Sequence, residues 1–219
     1  MLIGLDRKFV FIANTKTAST SIETALAPVA EIALGGNPAR KHVPLHDAIT
    51  EHPEIFAQPG QWPRFFFKFG VMRDPLDWID SWFRYRKSNR VESPLPKDMS
   101  FAEFWERQDW NFRRADGRPY LQGHMFCGPQ GKVLADVIVP YHRLPQMFPE
   151  ICAALGVAAP LPRENVSRLR EAETLTPALE ARLRGFYAQD YALFNRLDAI
   201  NAAGIAWLKA RAPGEPRAR

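Results

Sequence analysis

The chain has little cysteine, no long apolar run and, in its most polar N-terminal loop, no glycine. Only Cys127 and Cys152 occur among 219 residues. They form no CxxC pair and have no His/Cys cluster nearby, which leaves two free thiols in a reducing compartment and no zinc site. No apolar stretch approaches the roughly 20 residues of a membrane helix. Asp6, Arg7 and Lys8 come too early for a signal-peptide core. These absences predict a cytoplasmic chain without a membrane span. Glycine is missing between Lys8 and Leu34, which excludes the Gly-x-x-x-x-Gly-Lys-Ser/Thr phosphate loop over that stretch.

What is present is ordinary in amount and basic in balance. Hydrophobic residues make 46% and charged residues 24%, with 19 prolines marking many loops and helix starts. The length suits one domain over residues 1–212, with a disordered tail at 213–219. A net charge of +5 favours an anionic partner: nucleotide, acidic glycan, nucleic acid or anionic lipid. The basic residues are spread along the chain, so charge alone does not choose among these.

The most informative stretch is Lys8 to Leu26, KFVFIANTKTASTSIETAL. Phe9 to Ile12 reads as a short buried strand. A small, hydroxyl-rich loop with Lys16 follows, and from Ile22 the pattern is helical. Strand, polar loop and helix aims unpaired helix amides at a ligand, and an anion suits them. Lys16 adds charge, and Ser19, Thr20 and Ser21 add hydroxyl donors. Thr20 with Glu23 also fits a capping box, which would satisfy the same amides without a ligand. Ala18 disfavours positive φ, so an L-type backbone is expected there.

Further on, Phe65 to Met72 reads as a second buried strand and Val133 to Val139 as a third. Asp74 and Pro75 open a helix running to about Asn89, Ser100 with Glu103 opens another, and a helix covers about Leu144 to Leu155. Thr176-Pro177 opens one long last helix through Leu193. Asp47 caps a short helix, with His46 at its entrance and His42 in the loop before it. Trp78, Trp82 and Trp105 lie on helices and read as core. Strands separated by helices predict an α/β fold, a mostly parallel sheet with helices on both faces. Ligands gather at the C-terminal ends of such strands, where Lys16 and Arg73 fall.

The run Thr15-Lys16-Thr17-Ala18-Ser19-Thr20-Ser21 resembles the 5′-phosphosulfate loop of sulfotransferases that use 3′-phosphoadenosine 5′-phosphosulfate (PAPS). The family commonly has proline where Thr15 stands and glycine where Ala18 stands. VMRDPLDWIDSWFRYR resembles the family's second motif, an arginine at a strand end and a serine eight residues on, here Arg73 and Ser81. The alternative is Arg73 paired with Asp74 or Asp77, and Ser81 an ordinary surface serine. Weaker likeness extends over residues 8–195, through DVIVPYHRL and an Asn165-Val166-Ser167-Arg168 loop.

The resemblance, closest in style to carbohydrate sulfotransferases, implies a three-layer α/β/α fold of P-loop-NTPase type. It implies transfer of a sulfuryl group from PAPS to an acceptor hydroxyl or amine, carbohydrate first, a lipid or small hydroxylated metabolite second. Lys16 would stabilise the transferring group. Residues Lys16, Thr17, Ala18, Ser19, Thr20 and Ser21 would cradle the 5′-phosphate. Arg73 and Ser81 would hold the 3′-phosphate, and Arg168 would either reach a phosphate of the nucleotide or be a solvated charge. His42 would be the base, with His46 and then His124 in reserve. No metal and no nucleic acid are required. Two other classes stay open: a P-loop-type phosphotransferase needing magnesium and a nucleoside triphosphate, and a basic nucleic-acid-binding module. A family member that only binds the nucleotide is a third possibility.

Overall fold

A computed structural model describes residues 1–35, 41–88, 93–108, 117, 119–158, 160–162 and 175–211. The strands are β1 (Leu2–Gly4), β2 (Phe9–Ile12), β3 (Ile32–Ala33), β4 (Phe67–Met72) and β5 (Val137–Pro140). Among the described residues they form one sheet in the order β3-β1-β2-β4-β5. Strands β2, β4 and β5 run parallel, while β1 is antiparallel to both β2 and β3.

The fold is therefore α/β, but the sheet is mixed rather than mostly parallel. The reason lies in the first twelve residues. Only Leu5 to Lys8 separate β1 from β2, with Lys8 at φ 52°. A parallel pair needs a crossover of a dozen residues or more, so this connection can only be a hairpin. β1, of three residues, and β3, of two, are too short to carry an apolar run that marks a strand in the sequence.

The α-helices lying within the described residues are α1 (Ser19–Leu26), α2 (Leu45–Glu51), α3 (Pro53–Phe56), α4 (Pro75–Arg86), α5 (Phe101–Arg107), α6 (Leu144–Ala154), α7 (Pro177–Phe186), α8 (Ala188–Phe194) and α9 (Leu197–Ala210). Alternation along the strands sends side chains to opposite faces. Phe9, Phe11, Phe67, Phe69, Val137 and Val139 pack with α1, α6 and Leu208 of α9. Val10, Ile12, Met72 and Ile138 pack with Leu45 and Ala48 of α2, Phe126, Leu193 and Leu197. Helical residues thus cover both faces. A third cluster, built on Trp78, Phe83, Phe104, Trp105, Leu183 and Tyr187, joins α4, α5 and α7. Trp78 and Trp105 are core, as their helical spacing predicts.

Helix starts follow the sequence signals. Asp74 caps α4 by accepting from the amides of Leu76 and Asp77, at 2.9 and 3.3 Å. Ser100 and Thr176 cap α5 and α7 in the same way. Three expectations fail. The single last helix expected through Leu193 is two, α7 and α8, with α9 following as a third, because the regular helical hydrogen bonding is interrupted at Tyr187 and again at Asn195–Arg196. No proline marks either break; Gly185 lies two residues before the first and Asn195 stands at the second, while the apolar spacing runs on across both. Asp47 does not cap α2; it lies in the first turn, after Pro44 at the cap position. The third strand starts at Val137, since Val133 bridges back to Cys127 instead of joining the sheet. The tail at 213–219 lies outside the described residues. No helix among the described residues is long and apolar enough to cross a membrane.

Candidate functional site

Strands β2 and β4 are parallel neighbours, paired in register from Phe9 with Phe67 to Ile12 with Gly70. Their C-terminal ends release two loops side by side: Ala13 to Ala18 ahead of α1, and Arg73–Asp74 ahead of α4. Lys16 and Arg73 stand on these two loops, at the C-terminal ends of the strands, where α/β folds bind ligands.

The first loop is tightly fixed. The Thr17 hydroxyl is buried and donates to the Asn14 carbonyl at 3.1 Å. The Trp78 indole, from α4, donates to the Thr15 carbonyl at 3.0 Å. Asn14 accepts from the Thr15 amide at 2.8 Å and donates to the Val71 carbonyl at 3.1 Å. Lys16 at φ 58° and Ala18 at φ 60° are both left-handed. The L-type backbone expected of Ala18 is thus not found. Each such residue costs roughly 1–2 kcal/mol, and strain of this kind concentrates at ligand-binding turns.

The capping box is also not formed. Helix α1 begins at Ser19, its cap position is Ala18, and no side chain caps it. Thr20 lies inside the first turn and is exposed, 3.3 Å from the Lys41 ammonium. Glu23 pairs instead with Lys41 at 2.6 Å and with the N-terminal ammonium at 3.5 Å. Ser19 and Ser21 are buried at the start of the helix. The Lys16 ammonium lies 4.0 Å from the centre of the Tyr85 ring, a cation–π contact.

Arg73 turns toward Tyr141, its guanidinium 4.5 Å from the ring centre. Its Nε is buried without a hydrogen-bond partner among the described residues, as is the Thr15 hydroxyl. Buried polar atoms of this kind call for a partner. The alternative pairing with Asp74 is not seen, because Asp74 caps α4. Ser81 is buried, at 3% exposure, and is no ordinary surface serine.

His42 sits in the loop before α2, as its sequence position predicts. Its Nδ1 is 2.7 Å from the Ala13 carbonyl oxygen. Burial lowers its pKa below the usual imidazole value, with the Ala13 bond and Glu23 working against that shift. His46 and His124 are elsewhere. They line a cavity of about 520 Å³ with Cys127, Asp190 and Arg196. Burial raises the Cys127 thiol pKa and takes Cys152 to about 11, so neither is a ready thiolate. Arg168, with its loop, lies outside the described residues.

The sequence reading missed three residues of this region. Gln122, Asn14 and Asp190 are buried polar side chains tied into one network beneath the two loops. Asn14 merges into the polar run that follows it, and Gln122 and Asp190 stand as polar residues close to Leu121, Met125, Tyr191 and Leu193, with no motif to mark them. Set against family models, curated proteins and solved structures, the chain finds no match in any of the three comparisons.

Proposed function

We propose that the chain is a sulfotransferase using PAPS, with a P-loop-type three-layer arrangement around the C-terminal ends of β2 and β4. One juxtaposition carries this reading. A lysine loop leading into an uncapped helix and an arginine leading into a second helix stand at the ends of adjacent parallel strands. The residues present fit a nucleotide with two phosphate groups. The α1 amides, with Lys16, Thr17, Ala18, Ser19, Thr20 and Ser21, suit the 5′-phosphosulfate. The Arg73 Nε, without a hydrogen-bond partner among the described residues, and the buried Ser81 suit the 3′-phosphate.

When bound, PAPS supplies an activated sulfuryl group that passes to the acceptor oxygen as its bond to the 5′-phosphate breaks. The Lys16 ammonium would meet charge on the transferring group and on the departing phosphate. A carbonyl can only accept, so His42 Nδ1 carries its proton toward Ala13. In the neutral ring Nε2 is then the basic nitrogen, fit to take the acceptor's proton. A carbohydrate hydroxyl is the first acceptor class, a lipid or small hydroxylated metabolite the second.

The test is a thermal-shift titration with adenosine 3′,5′-bisphosphate beside ATP–magnesium, on wild type and Arg73→Ala. A ligand that binds only the folded chain raises its melting temperature. Stabilisation by the bisphosphate alone, lost in Arg73→Ala, supports the reading. Stabilisation by ATP–magnesium alone moves the chain to the phosphotransferases. No shift with either removes the nucleotide site, and a steep salt dependence of RNA or DNA binding would then favour a nucleic-acid module.

A further inference from the structure

We propose that Gln122 is a positioning residue that holds Arg73 in register with the Lys16 loop, and so sets recognition of the second phosphate. This rests on the nucleotide site proposed above. Gln122 comes from neither loop. It lies in a short turn between α5 and β5 and is fully buried.

Its side-chain amide makes three bonds. Nε2 donates to the Arg73 carbonyl at 2.9 Å. Oε1 accepts from the Arg73 amide at 3.1 Å and from Asn14 Nδ2 at 3.1 Å. Both lone pairs of the oxygen are thereby used. The β2–β4 pairing has ended by this point, at Ile12 with Gly70. Beyond it, Gln122 joins the two strand extensions, taking both backbone groups of Arg73 and the side chain that opens the first loop.

Gln122 is itself held. Its backbone amide donates to Asp190 Oδ2 at 2.9 Å, and that of Gly123 to Oδ1 at 2.8 Å. Asp190 thus fixes the turn from α8, and the turn fixes Arg73. Gln122 touches no phosphate in this arrangement; it acts through Arg73 and Asn14. A displacement near 1 Å in such a grip can cost up to about a hundredfold.

The experiment compares wild type, Gln122→Met and Gln122→Glu. Met keeps the length and loses all three bonds. Glu keeps the acceptor oxygen and loses the donation to the Arg73 carbonyl. Hydrogen exchange on the unliganded proteins is read over peptides containing Asn14 and Arg73. Binding of adenosine 3′,5′-bisphosphate and of adenosine 5′-monophosphate is measured by calorimetry. The expected result for Met is faster exchange in those two peptides, with the β5 and α6 peptides unchanged. The preference for the bisphosphate over the monophosphate falls by about tenfold, while monophosphate affinity holds. Glu gives an intermediate loss, and serves alone should Met not fold.

Unchanged exchange at both peptides, or acceleration throughout the chain, overturns the proposal. So does local acceleration with the phosphate preference intact. If wild type itself binds neither nucleotide, the sulfotransferase reading fails, and the exchange pattern alone decides whether Gln122 clamps the two strand ends.

Discussion

His42 Nδ1 faces the Ala13 carbonyl oxygen at 2.7 Å, which leaves one tautomer for the neutral ring. Burial holds the pKa of that ring below 6.5. The neutral form therefore predominates at pH 7, and Nε2 is the basic atom. If His42 is the base, sulfuryl transfer declines as pH falls below 6.5, when the ring takes its proton. In kcat/KM against pH, wild type shows this acidic limb and His42→Ala does not. The substitution lowers kcat by about 10²–10⁴ and leaves bisphosphate affinity unchanged. A variant with full activity, or one that keeps the limb, removes His42 from the role. Folding stability has the same sign. A depressed imidazole pKa contributes stability above 6.5 that is lost as pH falls through the folded value.

Ala18 holds a left-handed backbone, φ 60° and ψ 25°, at the cap position of α1. Glycine adopts that geometry without the Cβ clash. Ala18→Gly should stabilise the chain by roughly 1 kcal/mol, the strain relief outweighing the added freedom of the unfolded chain. In a domain of this size that is a rise of about 2–4 °C in Tm. Ala18→Val, branched at Cβ, should lower it. Scanning calorimetry of the three proteins decides. A lower Tm for the glycine variant would mean that the turn is not strained.

Much of this region was legible because its signals are local. Asp74, Ser100 and Thr176 announce helix starts through cap chemistry, and all three act as caps. The strand cores of β2 and β4 are written in short apolar runs. What was not legible depends on distance in sequence. Thr20 and Glu23 have capping-box spacing, yet Lys41 and the N-terminal ammonium draw Glu23 away. Ala18 takes a disfavoured backbone because the surrounding bonds impose it. Gln122 and Asp190 lie 68 residues apart and join only after folding. The breaks at Tyr187 and Asn195 carry only a nearby Gly185 and the asparagine itself, weak signals against an apolar spacing that continues across them.

Asp190 gives a pH effect on stability of opposite sign to that of His42. Burial raises its pKa from 3.8 to about 6, only partly offset by the Gln122 and Gly123 amides. A raised carboxyl pKa contributes stability below 3.8 that is lost as pH rises through 6. Two units amount to about 3 kcal/mol. Asp190→Asn does not titrate, so its unfolding free energy should flatten between pH 4 and 6 relative to wild type. It also leaves one backbone amide without an acceptor, at a cost of about 1–3 kcal/mol. At pH 7 the two changes oppose, and the net difference is small. Urea melts at pH 4, 5, 6 and 7 give the comparison. An unchanged slope would mean that Asp190 does not titrate in this window.

Asn201 repeats on β5 what Gln122 does at Arg73: one side-chain amide bonds both backbone groups of a single residue. Its Oδ1 accepts from the Ile138 amide at 2.7 Å and its Nδ2 donates to the Ile138 carbonyl at 2.8 Å. β5 is the last strand of the sheet among the described residues, and these groups have no strand neighbour on that side there. α9 seals the edge instead, at close range. A Cβ added at Gly204 would lie 1.9 Å from the Asp136 carbonyl oxygen, which is backbone and cannot rotate aside. Asn201→Ala leaves a buried amide and carbonyl unpaired and should cost about 2–6 kcal/mol, at 1–3 for each group. Gly204→Ala must push α9 off the strand, and its cost should reach the upper part of the ~1–3 kcal/mol typical of overpacking. Both are read from urea midpoints. Neither residue touches the Lys16 or Arg73 loop, so bisphosphate affinity well below the melting temperature should match wild type in both. Loss of affinity with little loss of stability would instead mean that the β5 edge supports the phosphate grip as directly as Gln122 does.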